Sequence, residues 1–167
     1  VVSITGTNGK TTTTWLMRSI LQAAGKQAGI LGTIEYSDGI DIRPASLTTP
    51  TSLELNQWLG SMVRRGTTHA AIELSSHALD QSRCAGTQLD AAVITNITQD
   101  HFDYHGTWEH YRQSKMRILD YIKPAGVAIV NMDDPGSRSA MCPTRASCPR
   151  SSATTRQVSR RWPSRRR

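Results

Sequence analysis

Short apolar runs alternate with amphipathic segments along most of the chain. The runs have the length of buried strands and end in polar clusters, whereas the segments between them repeat apolar residues every three or four positions, which indicates helices. Strands that alternate with helices predict the α/β class, with a mostly parallel sheet flanked by helices. The predicted strands span residues 1–5, 28–33, 70–74, 91–95 and 127–130.

Three amphipathic helices are predicted between these strands. Gly25 follows the first and Gly66 follows the second, and glycine commonly ends a helix. The second begins with the capping-box sequence Thr51-Ser52-Leu53-Glu54, and the third spans residues 107–119. Residues 35–47 are polar, so we expect a hairpin or an excursion loop there. The apolar helix positions are Leu16, Met17, Ile20, Leu21 and Ala24 in the first, Leu55, Leu59, Met62 and Val63 in the second, and Tyr111, Ile118 and Leu119 in the third.

A glycine-bracketed turn joins the first strand to the first helix, with the sequence Thr5-Gly6-Thr7-Asn8-Gly9-Lys10-Thr11-Thr12. Such a turn directs backbone N–H groups and the positive end of a helix dipole at one point, where phosphate oxygens bind. Lys10 would add a positive charge at the β- and γ-phosphates, and the hydroxyl of Thr11 or Thr12 would bind Mg²⁺. Ile4 stands where the longer form of this loop has glycine, so the chain carries a shorter variant.

Charge is distributed unevenly along the chain. The net charge of +7 arises from residues 141–167, which hold eight arginines and no acidic residue, whereas residues 1–140 carry 12 basic and 13 acidic groups. We expect one domain over residues 1–140, incomplete at its C-terminal end. We expect the Arg-, Ser- and Pro-rich segment 141–167 to be disordered or aberrant sequence. A basic arm can bind nucleic acid, but the nearly neutral domain predicts no specific nucleic-acid partner.

Other features bound the cellular setting. The chain has no initiator methionine and no leader sequence, so we expect a domain of a longer protein. No apolar run approaches the roughly 18 residues of a membrane span, so no membrane partner is predicted. Cys84, Cys142 and Cys148 form no C-x-x-C pair, which argues against a zinc knuckle or a disulfide framework and favours a cytoplasmic location.

Two charged residues beyond the loop are candidates for chemistry. Glu73 lies near the end of an apolar strand and would face the phosphate loop, where it could bind Mg²⁺. A buried glutamate paired with Arg or Lys fits the same pattern, and the phosphate loop favours the metal. Lys115 lies between Tyr111 and Leu119 on a partly apolar helix face, but its spacing alone fits a solvated lysine better.

The segment Asp100-His101-Phe102-Asp103-Tyr104-His105 combines two histidines with two carboxylates. His101 and His105 would share one face of a helix, but Phe102 and Gly106 favour a loop. A zinc site would need a third protein ligand, and no cysteine lies nearby in sequence. We therefore favour a single histidine acting beside Mg²⁺.

Together these motifs resemble those of the Mur ligase family, and among its members the MurE type. In the family's order they are T-G-T-N-G-K-T-T at 5–12, T-T-P at 48–50, E-L-S-S-H-A-L at 73–79, T-N-I at 95–97, D-H-F-D-Y-H-G-T at 100–107 and N-M-D-D at 131–134. The resemblance covers about residues 1–135 and implies the P-loop NTPase-like central domain of a three-domain enzyme. The phosphate loop alone would also fit folylpolyglutamate synthetases.

The resemblance implies a role for each matching residue. ATP would be bound by Gly6, Thr7, Asn8, Gly9, Lys10, Thr11, Thr12, Asn131 and Asp133. Metal would be bound by Thr11, Glu73, His101 and a carbamylated Lys115, and the catalytic residues would be Lys10, His101 and Lys115. The UDP-MurNAc-dipeptide would be bound by Thr48, Thr49, Ser75, Gln81 and Arg83.

The implied activity is that of an ATP-dependent amide-bond ligase of peptidoglycan precursor synthesis. ATP would phosphorylate the D-Glu γ-carboxylate of UDP-MurNAc-L-Ala-D-Glu, and the amine of diaminopimelate or lysine would attack the acyl phosphate. Because two anions must approach each other, Lys10 and two Mg²⁺ ions would neutralise charge. We expect a monomer that binds nucleotide weakly and does not turn over alone. The alternatives are a folylpolyglutamate-synthetase-like ligase and a non-catalytic P-loop nucleotide-binding module.

Overall fold

The computed structural model describes residues 1–100, 102–141 and 157–158, and within them the chain forms one sheet with flanking helices. The strands are β1 (Val2–Thr5), β2 (Ala28–Leu31), β3 (Glu35–Ser37), β4 (Ile42–Pro44), β5 (His69–Glu73), β6 (Leu89–Ile94), β7 (Ile122–Val130) and β8 (Gln157–Val158). The helices are α1 (Lys10–Ala23), α2 (Ser52–Arg64), α3 (Ser76–Asp80), α4 (Phe102–His105), α5 (Trp108–Met116) and α6 (Pro135–Met141), with a 3₁₀ turn at Arg117–Tyr121.

The sheet has a parallel centre and antiparallel edges. Its strand order is β4-β3-β2-β5-β1-β6-β7-β8, and the five strands from β2 to β7 in this order pair in parallel. The β3–β4 hairpin and β8 add the antiparallel edges. The predicted α/β class with a mostly parallel sheet is therefore confirmed, and of the two structures considered for residues 35–47 the hairpin is present.

The register of the central strands places a carboxylate at the end of β1. Ile4 is paired with Glu73 across β1 and β5 and with Val93 across β1 and β6. The side chains of Ile4 and Glu73 are fully buried. Because the carboxyl ends of parallel strands meet at one edge, the segments that follow β1, β5 and β6 converge there.

Both of the first two helices form where predicted, and Leu55 and Met62 of α2 are buried as expected, but other residues of the expected apolar faces are exposed. In α1, Leu16 and Ile20 are 58% and 63% exposed, whereas Thr14 is fully buried and its hydroxyl donates to the Lys10 carbonyl at 2.8 Å. In α2, Val63 is 78% exposed. Apolar spacing predicts that a helix forms. Which face of the helix is buried depends on how the helix packs against the sheet.

The loop expected around residues 100–106 contains the short helix α4, so that prediction is wrong. Two further helices, α3 and α6, were not predicted. The hydroxyl of Ser75 caps α3 by accepting from the Ala78 N–H at 3.1 Å. Ser75 follows directly on a predicted strand, so this capping residue was not recognised in the sequence.

The third predicted helix is α-helical as far as Met116, and the 3₁₀ turn follows it. The expected disorder of residues 141–167 falls almost wholly outside the described residues, of which Gln157 and Val158 pair with β7.

No helix in the described part of the chain is both long enough and apolar enough to cross a bilayer.

Candidate active site

The phosphate loop is held against the end of β6. Gly9, the residue before α1, has a left-handed φ of 82°, and a Cβ on Gly6 would overlap the side chain of Thr95. Asn96 fixes the loop from below, because its carbonyl accepts from the Thr7 N–H and its side chain exchanges two hydrogen bonds with the backbone of Asn8, at 2.9 and 3.0 Å. The N-cap residue of α1 is Gly9, which has no side chain to cap the helix, so the N–H groups of its first turn are donors for an anion.

Two ammonium groups converge on one carbonyl oxygen of this loop. Lys10 Nζ donates to the Gly6 carbonyl at 2.9 Å and to the Thr7 carbonyl at 3.0 Å, and Lys115 Nζ donates to the same Gly6 carbonyl at 2.8 Å. Lys115 is 1% exposed, and its Nζ lies 4.7 Å from the centroid of the Tyr111 ring. Two like charges therefore approach each other at the point where phosphate would bind.

Burial and charge shift the proton equilibria of both lysines. Burial lowers the pKa of Lys10, while the carboxylates of Glu73 and Asp100 act in the opposite direction. Burial and then the neighbouring Lys10 cation lower the pKa of Lys115 to about 7, against the opposing effect of Asp100. Near neutral pH about half of the Lys115 side chains are therefore uncharged. A solvated surface lysine, which its spacing alone favoured, is not what the structure contains.

The carboxylate of Glu73 lies beside the start of α1. Thr11 Oγ1 donates to Glu73 Oε2 at 2.9 Å, and the Thr33 N–H donates to Oε1 at 3.0 Å. Thr33 Oγ1 lies 3.1 Å from Oε2 and 3.2 Å from the hydroxyl oxygen of Thr48. Among the described residues, the hydrogen-bond partners of this buried carboxylate are hydroxyl and amide groups rather than Arg or Lys, so the ion-pair alternative is not the arrangement found.

A set of hydroxyl and carboxylate oxygens is what Mg²⁺ prefers in proteins. Thr11 and Glu73 supply both types of oxygen at the mouth of the phosphate loop, and Thr33 and Thr48 add two further hydroxyls beside them. These residues fit a magnesium site. Thr33 was missed by sequence reasoning, because nothing in a polar residue after a strand specifies a carboxylate partner 40 positions away.

An open cleft of about 280 Å³ adjoins the loop. Its charged lining consists of Lys10, Arg83 and Lys115, with no carboxylate among the lining residues that the structure describes. Such a cleft favours an anionic ligand. The full lining is Lys10, Leu47, Thr48, Thr49, Ser75, Ser76, His77, Arg83 and Lys115.

Four of the five residues predicted to bind the substrate line this cleft, but the hydroxyls of Thr48, Thr49 and Ser75 all have hydrogen-bond partners within the protein. Thr49 Oγ1 donates to the Glu73 carbonyl at 2.8 Å and accepts from the Ser75 N–H at 2.9 Å. Arg83 donates to the Thr49 carbonyl at 3.0 Å and to the side-chain oxygen of Gln81 at 2.9 Å. Thr49 thus ties Glu73 to Ser75 in the cleft wall. Gln81 lies beside Arg83 and outside the lining.

The residues expected to contact adenosine lie at the same edge of the sheet. Asn131 follows β7, and its side-chain amide donates to the Thr95 carbonyl at 2.9 Å, next to the phosphate loop. The Asp133 N–H donates to the side-chain oxygen of Asn131 at 3.0 Å. Both residues are exposed. His101 lies outside the described residues, so its predicted role as a metal ligand stays a prediction.

Tyr111, which like Thr33 was not among the predicted site residues, joins the phosphate loop to α5. The hydroxyl groups of Thr7 and Tyr111 lie 3.0 Å apart, and burial raises the pKa of Tyr111 to about 12, while the hydrogen bond with Thr7 opposes that shift. Tyr111 also lies over Lys115. It therefore packs the loop and the buried lysine together from one side.

The chain is similar to known proteins over most of its length. The family model of the Mur ligase middle domain matches residues 4–156. A UDP-N-acetylmuramoyl-L-alanyl-D-glutamate–2,6-diaminopimelate ligase of Geobacter metallireducens is 46% identical over 147 residues, which are 84% of this chain and 29% of the relative. The ligase of the same name from Geobacillus kaustophilus is 44% identical over 145 residues, 83% of this chain and 29% of the relative. The chain thus spans less than a third of these relatives.

Solved structures show the same fold. A structure of UDP-N-acetylmuramoyl-L-alanyl-D-glutamate–2,6-diaminopimelate ligase matches with a TM-score of 0.72 and 33% identity, over 84% of this chain and 28% of that one. A MurF ligase from Thermotoga maritima in complex with ADP matches with a TM-score of 0.60 and 24% identity, over 83% and 29% of the two chains, which is evidence for the fold alone. The chain belongs to the Mur ligase family and carries its middle domain.

Proposed function

We propose that this chain is the ATP-binding part of a ligase of the MurE type. It would phosphorylate the D-Glu γ-carboxylate of UDP-MurNAc-L-Ala-D-Glu and join diaminopimelate or lysine to the resulting acyl phosphate. The observation that carries the proposal is the cleft with the cationic side chains of Lys10 and Arg83 beside the Thr11–Glu73 pair. Phosphoryl transfer between two anions needs that combination of positive charge and metal-binding oxygens.

The chain's own groups account for the positioning of ATP. The N–H groups at the start of α1 would bind the phosphate oxygens, and Lys10 would leave the carbonyls of Gly6 and Thr7 to contact the β- and γ-phosphates. Thr11 and Glu73 would hold Mg²⁺, which neutralises the developing charge on the phosphates. Asn131 and Asp133 would lie towards the adenosine, since they follow β7 at the same edge.

The buried Lys115 supports a second chemical role. A neutral amine can add to CO₂, forming an N–C bond and losing a proton to give a carbamate. The low pKa of Lys115, about 7, supplies the neutral amine near physiological pH. The product would carry a negative charge beside Lys10, which removes the repulsion between two ammonium groups and adds an oxygen ligand for metal.

Nucleotide binding is tested directly with the 167-residue chain. A non-hydrolysable ATP analogue with Mg²⁺ is titrated by calorimetry into the wild type, Lys10→Ala and Lys26→Ala. Lys26 is an exposed lysine between the C-terminal end of α1 and β2. We expect binding that Lys10→Ala weakens by at least tenfold and that Lys26→Ala leaves unchanged. Equal affinities for all three proteins would contradict the phosphate role of Lys10.

Substrate class is tested by adding a second ligand to the nucleotide-loaded chain. UDP-MurNAc-L-Ala-D-Glu is compared with a folate, because the folylpolyglutamate-synthetase-like alternative shares the phosphate loop. We expect the muramoyl dipeptide to bind and Arg83→Gln to weaken it, since Arg83 lines the cleft. Binding of the folate instead would favour the alternative, and nucleotide binding with neither ligand would favour a P-loop binding module.

Multiple turnover by this chain alone would contradict the expected lack of independent activity. The monomeric state and the cytoplasmic location stay predictions.

A further inference from the structure

Three potential metal ligands from three helices meet beside Tyr111, which contacts Thr7 of the phosphate loop. Asp80 ends α3, His105 ends α4 and His110 lies in the first half of α5. Each offers one ligand atom, and these atoms lie within 4.8 Å of one another. None of the three is used in the proposed ATP or substrate site.

The hydrogen bonds of His110 identify which of its nitrogens faces the cluster. His110 Nδ1 lies 3.0 Å from the His105 carbonyl oxygen, which can only accept, so Nδ1 carries a proton. Nε2 lies 3.2 Å from Asp80 Oδ1. In the neutral ring Nε2 carries a lone pair, and this lone pair would face the lone pairs of a carboxylate oxygen. Because the two would repel each other, a positive species, either a proton or a metal ion, must lie between the two atoms.

The same arrangement is typical of a metal-binding histidine. Such histidines usually donate the second ring N–H to a backbone carbonyl or a carboxylate, which fixes the tautomer and the ring orientation. The Asp80 carboxylate is also oriented, because Tyr104 donates to Oδ2 at 3.2 Å and Ser114 Oγ lies 3.1 Å from Oδ1. Ligands of a tetrahedral Zn²⁺ ion lie about 3.3 Å apart for Zn–N and Zn–O bonds of about 2.0–2.1 Å, which matches the separation of Nε2 and Oδ1.

Burial and charge also fit a cation. His105 is 4% exposed and packs among the rings of His77, Tyr104 and Tyr111. Burial alone would raise the pKa of Asp80, but its hydrogen bonds and the nearby His110 lower it below the usual value. Arg117 is a positive charge that would repel a bound cation, and its Nη1 lies 3.7 Å from Asp80 Oδ1. The same Nη1 donates its hydrogen bond to the Asp80 backbone carbonyl, at 2.8 Å, rather than to the carboxylate.

We propose that Asp80, His105 and His110 bind one Zn²⁺ ion, with water in the fourth position. The ion replaces the proton between His110 Nε2 and Asp80 Oδ1. The ligand atom of His105 lies within 4.8 Å of the other two, so a small movement of its side chain brings it to the ion while His110 keeps its hydrogen bond. The ion then joins α3, α4 and α5, and through the hydrogen bond between Tyr104 and Gln81 it fixes the segment that leads to Arg83 in the cleft wall.

The test is calorimetric titration of Zn²⁺ into the 167-residue chain in excess Mg²⁺, with no nucleotide or substrate. It therefore does not depend on the proposed ligase function. We expect one equivalent of Zn²⁺ to bind. Asp80→Asn and His110→Asn are expected to weaken it by more than the roughly 10- to 100-fold that loss of an outer-sphere partner causes. His110→Asn retains an N–H donor near the His105 carbonyl while removing Nε2.

Two control proteins separate this site from other ligands in the chain. His69→Asn removes a partly exposed histidine at the start of β5, and Cys142→Ser with Cys148→Ser removes two thiols. Both are expected to keep wild-type affinity, and Co²⁺ bound in place of Zn²⁺ should show the visible absorption of a tetrahedral nitrogen and oxygen site without thiolate bands. Urea unfolding in EDTA reports whether each variant folds; if Asp80→Asn does not, His110→Asn carries the test.

The proposal is overturned by either of two results. One is the absence of Zn²⁺ binding by the wild type, and the other is unchanged affinity in His110→Asn; loss of binding in the double cysteine variant would then place the Zn²⁺ ion on the thiols.

Discussion

The sharing of one carbonyl oxygen by Lys10 and Lys115 is the most unusual residue-scale feature of the site. Both Nζ atoms donate to the Gly6 carbonyl, and only Lys10 is placed to leave it for a phosphate, because Lys115 is almost fully buried. Burial, and then repulsion from the Lys10 ammonium group, disfavour a charged Lys115. The neighbouring carboxylate of Glu73 is fully buried with hydroxyl and amide partners and can accept a divalent ion.

Glu73→Gln is therefore expected to abolish most of the Mg²⁺ dependence of nucleotide binding. The amide keeps the shape and can still hydrogen-bond Thr11 and Thr33, but it removes the anionic oxygen that Mg²⁺ requires. Titration of an ATP analogue with and without Mg²⁺ should show a metal-dependent gain in affinity in the wild type. In Glu73→Gln that gain should fall by roughly 10- to 100-fold.

Glu54→Gln serves as the matched control, because Glu54 lies in the first turn of α2, away from the loop. It should bind like the wild type. A Glu73→Gln protein that retains the full effect of Mg²⁺ would show that the ion lies elsewhere.

At the scale of elements, the candidate metal site forms where three segments meet. These are the end of β5 with Glu73, the turn after β2 with Thr33, and the start of α1 with Thr11. The turn after β2 passes so close to β5 that a Cβ on Gly32 would overlap the Glu73 carboxylate. Thr33, the next residue, donates its N–H to that carboxylate. A glycine is needed at this close approach for the space around the carboxylate.

Gly32→Ala should consequently displace the Glu73 side chain and weaken Mg²⁺-dependent nucleotide binding, with a loss of about 1–3 kcal/mol of stability from overpacking. Gly60→Ala is the comparison variant. Gly60 lies within α2, where a new Cβ meets only the flexible end of Arg64. That change should raise stability by about 0.5–1 kcal/mol and leave nucleotide binding unchanged.

Urea unfolding and calorimetry of the two proteins measure both effects. If Gly32→Ala binds nucleotide and Mg²⁺ as the wild type does, Glu73 has room to move and the glycine has no role in shaping the site.

For the whole molecule, the low pKa of Lys115 couples folding to pH. The pKa of Lys115 is about 7 in the folded chain and near 10.5 when the chain is unfolded, so between these values the unfolded state binds more protons. Stability then rises with pH, starting near pH 7, with a contribution from Lys115 of up to about 1.4 kcal/mol per pH unit. Below pH 7 the charged amine is buried in the fold and that contribution is absent.

Lys115→Met should remove this part of the pH dependence. Urea unfolding at about pH 6.5, 7.5 and 8.5 in CO₂-depleted buffer should give a shallower rise of stability with pH for Lys115→Met than for the wild type. Lys26→Met, at an exposed position, should keep the wild-type slope. Parallel slopes for the wild type and Lys115→Met would show that Lys115 titrates normally.

The distribution of charge predicts a second property of the whole chain. Since the excess of positive charge belongs to residues 141–167, any binding to duplex DNA should be weak and should depend steeply on salt. Replacing Arg165, Arg166 and Arg167 by Gln should reduce the slope of log affinity against log salt by up to about 2.7, or about 0.9 for each phosphate that is no longer neutralised. The same change at Lys26, Arg64 and Arg138 of the domain should have little effect; a similar reduction there would place the DNA-binding surface on the domain.

The sequence by itself determined the features that depend on neighbouring residues. The phosphate loop from Gly6 to Thr11 and the alternation of strands and helices follow from glycine geometry and apolar period, which act over a few positions. Near Asp38 the sequence left a hairpin and an excursion loop open, and the pairing of β3 with β4 decided between them. The resemblance to the Mur ligases followed from motifs of the same local kind.

The tertiary structure decided the features that depend on burial and on strand register. It exposed Leu16 and Ile20 rather than Thr14, placed Thr33 on Glu73, and buried Lys115 on the Gly6 carbonyl beside Lys10. It also gathered Asp80, His105 and His110 from three helices. Contacts of this kind join residues far apart in sequence, and the pKa values of buried groups depend on what surrounds them, so no local pattern could specify them.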